Sequence, residues 1–371
     1  MQKYDVAAYV WPSYTGDEPR TRIFWPKGMG EWETVMEAKP KFEGHLWPRR
    51  PLWGYVNEAD PAVMEMQISQ AVSHGVNVFI YDWYWYDGRP FLENCLNDGF
   101  LKARNCRDMR FYLMWANHDV PHLWDRRLAG TKPGESIIWQ GFTDRPEFER
   151  MATRMVDKYF SIPNYYKIDG KPVLMIYDAE NLVRGFGTIA QTREALDWLR
   201  QLVTQKGHPG IHLQLCVRGD RDPKPELVGQ VCTYAQLCDL LGIDSVTAYQ
   251  TGQLAGYKGD FCDQLERAKA CWQKIDETYT IPYCPHISCG WDTNPRFQML
   301  KPNIITNNTP EALEKALLAA RDYVDSHDLP APLITVNSWN EWTEGSYLQP
   351  DDLYGYGYLE AVKRVFGPSV T

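Results

Sequence analysis

Leu333-Ile334-Thr335-Val336 runs directly into Asn337-Ser338-Trp339-Asn340-Glu341-Trp342-Thr343-Glu344-Gly345, a short apolar stretch followed by two carboxylates and two indoles. Apolar and β-branched residues bounded by a polar turn read as a buried strand. If that strand belongs to an α/β barrel, the turn after it lies at the end where such barrels carry their sites. Cleaving a glycosidic bond needs a proton donor for the leaving oxygen and a second carboxylate nearby, and flat aromatic faces suit the C–H surface of a pyranose. Ser338-Trp339-Asn340-Glu341 can equally be a capping box that opens a helix, with Glu344 solvated on the first turn. The remainder of the chain separates these readings.

Working outward, the chain holds eight runs of the same kind: Asp5 to Trp11, Val76 to Trp83, Met109 to Trp115, Pro172 to Tyr177, Ile211 to Val217, Ser245 to Tyr249, Ile281 to Ser288 and Leu333 to Trp339. Helical patterns fall between them at 61–74, 89–105, 145–160, 188–205, 259–277 and 309–327, with a last one at 356–366. Thr309-Pro310-Glu311 is a helix start, with a cap, a Pro at the first helical position and an acid in the first turn. Eight strand-plus-helix units predict an α/β fold, a (β/α)8 TIM barrel forming a single domain over 1–371 with long βα loops, notably 12–60. The alternative, an open doubly wound sheet, lacks its Gly-rich fingerprint, since Trp11-Pro12-Ser13-Tyr14 follows the first run.

Of the 371 residues, 44% are hydrophobic and 15 are Trp, and many aromatic rings stand beside Pro, Gly, Asp or Asn, a placement that favours loops and pocket walls over the core. A net charge of −9 disfavours a nucleic-acid backbone or an anionic membrane as the partner, so no nucleic acid and no membrane are expected. Nine scattered cysteines are no disulfide framework. Cys284-Pro285-His286-Ile287-Ser288-Cys289 holds three potential ligands without a second cluster at zinc spacing, so neither a metal nor another cofactor is expected. No apolar run reaches transmembrane length and no signal peptide precedes the first run, as expected of a soluble chain, cytoplasmic or exported with its leader removed.

The residues that end each run form the candidate binding set. They are Tyr9, Trp11 and Tyr14; Asp82 and Trp83; Trp115, Asn117 and His118; Tyr177 and Asp178; Tyr249; His286 and Trp291; and Asn337, Trp339 and Trp342 around Glu341 and Glu344. Aromatics, amides and acids suit a polyhydroxylated, uncharged ligand, a carbohydrate. The alternation of Tyr81, Trp83 and Trp85 leaves open which rings line a pocket and which pack between barrel and helices.

Trp339-Asn340-Glu341-Trp342-x-Glu344-Gly345, followed by Gln349-Pro350-Asp351 and Tyr354-Gly355, resembles the C-terminal signature of the WbsX-like proteins, relatives of glycoside hydrolase family 99. Trp25-x-Lys27-Gly28-x-x-Glu31-Trp32, Phe42-x-Gly44-His45-x-x-Pro48, Tyr81-x-Trp83-Tyr84 and Trp115-Ala116-Asn117 resemble their N-terminal signatures in the same order. The resemblance implies a (β/α)8 barrel and metal-independent glycoside hydrolysis with retention, with Glu341 and Glu344 as the catalytic pair. It also implies that Glu341 acts as base on the substrate's own 2-hydroxyl, giving a 1,2-anhydro sugar, while Glu344 is general acid and then base. His118-Asp119 departs from the acid that often follows Trp-Ala-Asn in the relatives.

Independently of any family, glycoside cleavage divides labour between a donor with a raised pKa and a carboxylate kept ionised by hydrogen bonds. Glu344, against an indole-lined wall, is expected as the donor and Glu341 as the base. Attack by O2 from the face opposite the leaving group requires a 1,2-trans glycoside, α-mannoside-like. One rival is a glycosyltransferase of polysaccharide biosynthesis, in which Asp220-Arg221-Asp222 holds a metal and a sugar nucleotide; the charged run from Arg218 to Glu226 reads more simply as a solvated turn. Another is a non-catalytic glycan-binding barrel.

Overall fold

In the computed structural model, which describes residues 3–16, 18–129, 137–219 and 221–367, eight parallel strands form the barrel expected from the sequence. They are β1 (Asp5–Val10), β2 (Val78–Tyr86), β3 (Arg110–Trp115), β4 (Lys171–Ile176), β5 (His212–Cys216), β6 (Ser245–Thr247), β7 (His286–Ser288) and β8 (Leu333–Asn337). Their order is β7-β8-β1-β2-β3-β4-β5-β6. A parallel bridge between Val246 and Tyr283, just before β7, joins the two remaining edges. The run from Ile281 to Ser288 therefore serves twice, its first half on β6 and its second half on β8.

Helices α1 (Pro61–Ser73), α2 (Arg145–Met155), α3 (Ile189–Gln205), α4 (Tyr234–Leu241), α5 (Phe261–Thr278), α6 (Pro310–Ser326) and α7 (Gly357–Phe366) are the longer ones on the outside. Thr309 caps α6 through the Ala312 N–H, with Pro310 at its first turn, as the sequence predicts. The helix expected at 89–105 is absent. Asp87 and Gly88, both at positive φ, instead make a two-residue hairpin that returns Arg89–Phe91 antiparallel to β2. A π turn at Cys95–Gly99 and 3₁₀ turns at Phe100–Lys102 and Cys106–Asp108 follow. No helix among the described residues is long and apolar enough to cross a membrane.

Strand alternation decides what the site receives. In β2, Asp82 lines the cleft at the C-terminal end of the barrel, as does Tyr84, while Tyr81, Trp83 and Trp85 face the helices: Trp83 donates to Glu93 (2.9 Å) and Trp85 to Glu147 (3.0 Å). The register sets Trp115 beside Trp83, on the same outer face, where it packs on Phe148. Trp83 and Trp115 are thus core residues and not pocket walls. The barrel interior is polar: His286 bonds Thr335 (2.9 Å) and Ser288 (3.1 Å), Thr335 bonds Thr247 (2.8 Å), and the Tyr9 hydroxyl donates to the Ala248 carbonyl (2.9 Å). Burial pushes His286 down to about 3, so its ring is neutral. With both its nitrogens and the Cys284 sulfur engaged inside the barrel, the Cys284–Cys289 segment does not converge on one point.

Candidate active site

The turn after β8 is neither a helix nor disordered polar chain. The Ser338 hydroxyl accepts the N–H of Asn340 (3.1 Å) and of Glu341 (2.6 Å) and donates to the Ser346 carbonyl (2.7 Å). Asn340–Glu341 then pairs antiparallel with Ser346–Tyr347 across a single 3₁₀ turn, Trp342–Glu344. Gly345 closes it at φ 62°, where a Cβ would press on Asp292 at 3.2 Å. The capping box expected at Ser338 is not formed: its hydroxyl instead shapes a tight hairpin that aims both glutamates into the barrel mouth. Asn340 stitches this hairpin to the first strand, accepting from the Trp11 N–H (2.7 Å) and donating to its carbonyl (2.9 Å) and to Glu58 (2.8 Å).

Both glutamates meet one guanidinium. Arg296 donates to Glu344 (2.6 Å), to Glu341 (3.3 Å) and to Glu31 (3.1 Å), with all four side chains almost wholly buried. Glu31 comes from the 12–60 loop and is fixed by the Trp11 indole N–H (2.5 Å) and the Thr343 hydroxyl (2.9 Å). In the loop that carries Arg296, Asp292 accepts twice from Asn294 and once from the Trp47 indole, while its own N–H donates to the Glu344 carbonyl (2.6 Å). His45 adds a bond to Asp292 (2.6 Å); because its Nδ1 accepts from the Lys41 N–H, Nε2 carries the proton it donates.

One cation against three carboxylates leaves excess negative charge at a largely buried site, and such a site takes up protons. Burial, reinforced by the charge of Glu344, drives Glu341 well above the ordinary carboxyl range, with Arg296 offsetting only part. Glu344 is also raised by burial, but Arg296 and the Gln250 amide (2.7 Å) pull it back. Burial likewise lifts Asp82 far above its usual value. Geometry gives the same answer: the Tyr249 hydroxyl lies 2.8 Å from Asp82 and 2.9 Å from Glu341 and has one proton to give. One of those two carboxyls must hold a proton and donate to the phenol oxygen. Burial thus raises both carboxyls, and the cation lies nearer Glu344 than Glu341. Glu344 sits on the cation and not against an indole, since Trp342 stacks away on Tyr347 at 3.9 Å.

The pair lies at the floor of a cleft of about 450 Å³, within the usual size of a small-ligand site. Of the residues expected there, Trp11, Asp82, His118, Tyr177, Asp178, Tyr249, Glu341 and Glu344 line it. The others stand behind it. Tyr9 lies below Tyr249 (4.8 Å), Tyr14 packs on Trp32 (4.1 Å), and Asn117 clamps the Asp178 backbone through both its amide atoms. His286 is inside the barrel, Asn337 accepts from Gln250 (2.9 Å), and Trp291 packs at a tilt on Tyr257 (4.5 Å) beside a neighbouring pocket. Trp339 faces outward to Gln67 (2.7 Å) and Phe79, and Trp342 donates to Gln349. Wall residues outside the candidate set include Tyr84, Trp124, Arg218 and, above all, Arg296. Asp220 of the D-x-D run lies outside the described residues; its neighbour Arg221 is tied to Glu180 (2.5 Å).

Glu58 supports the turn from below and makes a testable signature. Burial lifts its carboxyl to about 7 although Gln67, Gln349, Asn340 and Cys95 all donate to it. A carboxyl whose folded value exceeds the unfolded one binds more protons when folded, so its stability contribution is present below pH 4.5 and is lost as pH rises to about 7. Urea denaturation at pH 5 and pH 8 should show this loss in the native sequence and a smaller one in Glu58→Gln. An equal loss in both would assign the pH dependence elsewhere.

The comparisons agree with this architecture. Residues 6–362 match the family described as Glycosyltransferase WbsX. The uncharacterized protein WxcX of Xanthomonas campestris pv. campestris is 29% identical over 348 residues, 93% of this chain and 47% of its own, so the chain spans about half the length of that relative. Among solved structures, the GH99 endo-α-mannosidase from Bacteroides thetaiotaomicron superposes with a TM-score of 0.55 at 14% identity, covering 97% of this chain and 95% of that one. A glycoside hydrolase-like protein gives 0.59 at 16% identity, covering 100% and 95%. These two likenesses concern the fold. The match over 6–362 goes further: the chain belongs to the WbsX family.

Proposed function

We propose that this chain is a retaining glycoside hydrolase that cleaves 1,2-trans glycosidic bonds, α-mannoside-like, in a complex glycan. The observation that carries the reading is the placement of Glu341 and Glu344 on one buried guanidinium at the floor of an aromatic-walled cleft. An oxocarbenium-like transition state is a cation, and a floor with more carboxylates than cations stabilises it more than it does the neutral sugar.

In the proposed route Glu341 removes the proton of the 2-hydroxyl as O2 attacks C1 from the face opposite the leaving oxygen. Glu344 gives its proton to that oxygen as the C1–O bond breaks, which leaves a 1,2-anhydro sugar. Water then adds to C1 with its proton passing to Glu344, and O2 recovers a proton from Glu341. The greater exposure of the Glu344 side chain, 11% against 4%, supports its role toward leaving group and water. Arg296 moves with neither role: it stabilises whichever carboxyl is ionised.

A screen of defined oligosaccharides, with NMR detection of the first-formed anomer, tests the reading; an inverted anomer would end it. A 2-deoxy analogue of a good substrate should bind and remain intact. Its hydrolysis would exclude the 2-hydroxyl route while sparing the pair. The family's description as glycosyltransferases favours a second reading, in which a sugar hydroxyl replaces water as acceptor on the same pair. Elongated products would identify it.

A further inference from the structure

The wall above Tyr177 carries a charge pattern that cleaving a neutral sugar does not require. Asp178, Glu180, Arg218, Arg221 and Lys224 all line the cleft. The acids are anchors. Asp178 spends one oxygen on the Asn181 N–H (2.9 Å) and the other on Arg218 (2.7 Å), and Glu180 spends its two on the Lys224 N–H (2.7 Å) and Arg221 (2.5 Å). The cations keep capacity. Among the described residues each arginine uses one N–H on its carboxylate, out of the five a guanidinium offers. Exposure runs the same way: Arg218 is 24% exposed and Arg221 40%, against 12% and 5% for the acids behind them. Arg218 also lies over the Tyr177 ring at 5.5 Å, which fixes the plane of its fork.

We infer that this wall binds an anionic substituent of the sugar, a uronate carboxylate or a phosphate ester, with Arg218 as the principal ligand and Arg221 and Lys224 assisting. The inference rests on the carbohydrate reading of the cleft and supplies its substrate class: an acidic glycan, with the negative group held to the Arg218 side and the scissile bond over Glu341 and Glu344. An arginine held by a buried carboxylate presents its free edge in a fixed plane, which suits bidentate recognition of a planar or tetrahedral oxyanion.

The test is binding of glucuronate, glucose 6-phosphate and glucose to the full chain, followed by protein NMR. Both anions should bind about tenfold or more tightly than glucose, the worth of a charge-assisted hydrogen bond. That advantage should fall to near unity in Arg218→Gln and about twofold to threefold in Lys224→Gln, an exposed position where misfolding is not at issue, with glucose binding unmoved. A stronger response to glucuronate identifies a uronic acid, and a stronger response to glucose 6-phosphate a phosphorylated sugar. Equal binding of glucose and both anions by the native sequence overturns the inference, as does an unchanged preference in a folded Arg218→Gln. Failure of the hydrolase reading looks different: Glu341→Gln would keep native turnover whatever the charge preference.

Discussion

Glu341→Gln and Glu344→Gln should each lower turnover about a hundredfold or more, the scale on which positioned acid–base groups act. The two losses should also differ in kind. An aryl glycoside with a good leaving group needs little help from a general acid, so Glu344→Gln should recover much of its rate on that substrate. Glu341→Gln should not, because the attacking O2 still needs its base. Glu341→Gln should also unfold no earlier than the native protein: its amide can donate to the Tyr249 oxygen while Tyr249 donates to Asp82, which removes the contest for one proton. Steady-state rates on natural and aryl substrates, with thermal melts, check all three points. Near-native turnover in either variant sinks the pair, and equal losses on both substrates sink the division of roles.

Arg296→Met should be the most destabilising single change in the site, by about 3–5 kcal/mol, the cost of leaving buried charges without their partner. Glu31, Glu341 and Glu344 lose their shared cation together. Glu341 and Glu344, whose carboxyls burial already raises, respond by taking up protons, which lifts them further. Carboxyls so shifted lose their contribution as pH rises, so the deficit should be larger at pH 8 than at pH 5. Urea denaturation of the native protein and the variant at both pH values measures this. A deficit below about 1 kcal/mol, or one that grows toward acid, would show that Arg296 is not the keystone of the cluster.

The barrel was legible because its signal is periodic: eight apolar runs, each short enough for a strand and separated by helical patterns. The glutamate pair was legible because it sits in one continuous stretch after the last of them. Arg296 and Glu31 were not, since no local spacing marks a loop residue that meets its partners 45 and 265 positions away. Glu31 lay within a quoted motif, Trp25 to Trp32, but nothing in that motif says which side chain turns inward. Trp83, Trp115 and Trp339 show the opposite error. A ring at a strand end is equally good mortar for the helix layer, and only parity within the strand tells the faces apart: Asp82 and Trp83 are neighbours in sequence and back to back in space. The helix expected at 89–105 failed on a sign that was present, the Asp87-Gly88 pair of a tight hairpin. The indole wall expected at Glu344 followed the nearest indoles in sequence, whereas the guanidinium that meets both carboxyls comes from another loop.

The bonds from Asn340 to Trp11, and from Trp11 to Glu31, join the last-made strand to the first. A ribosome delivers those partners at opposite ends of its work. Until β8 slides between β1 and β7, the nascent barrel is a slotted cylinder whose floor carries Glu31 and Arg296 but neither glutamate of the pair. Closure of the barrel and assembly of the carboxylate–guanidinium cluster are thus completed by the same strand and turn, and a chain interrupted before Leu333 holds neither glutamate of the pair.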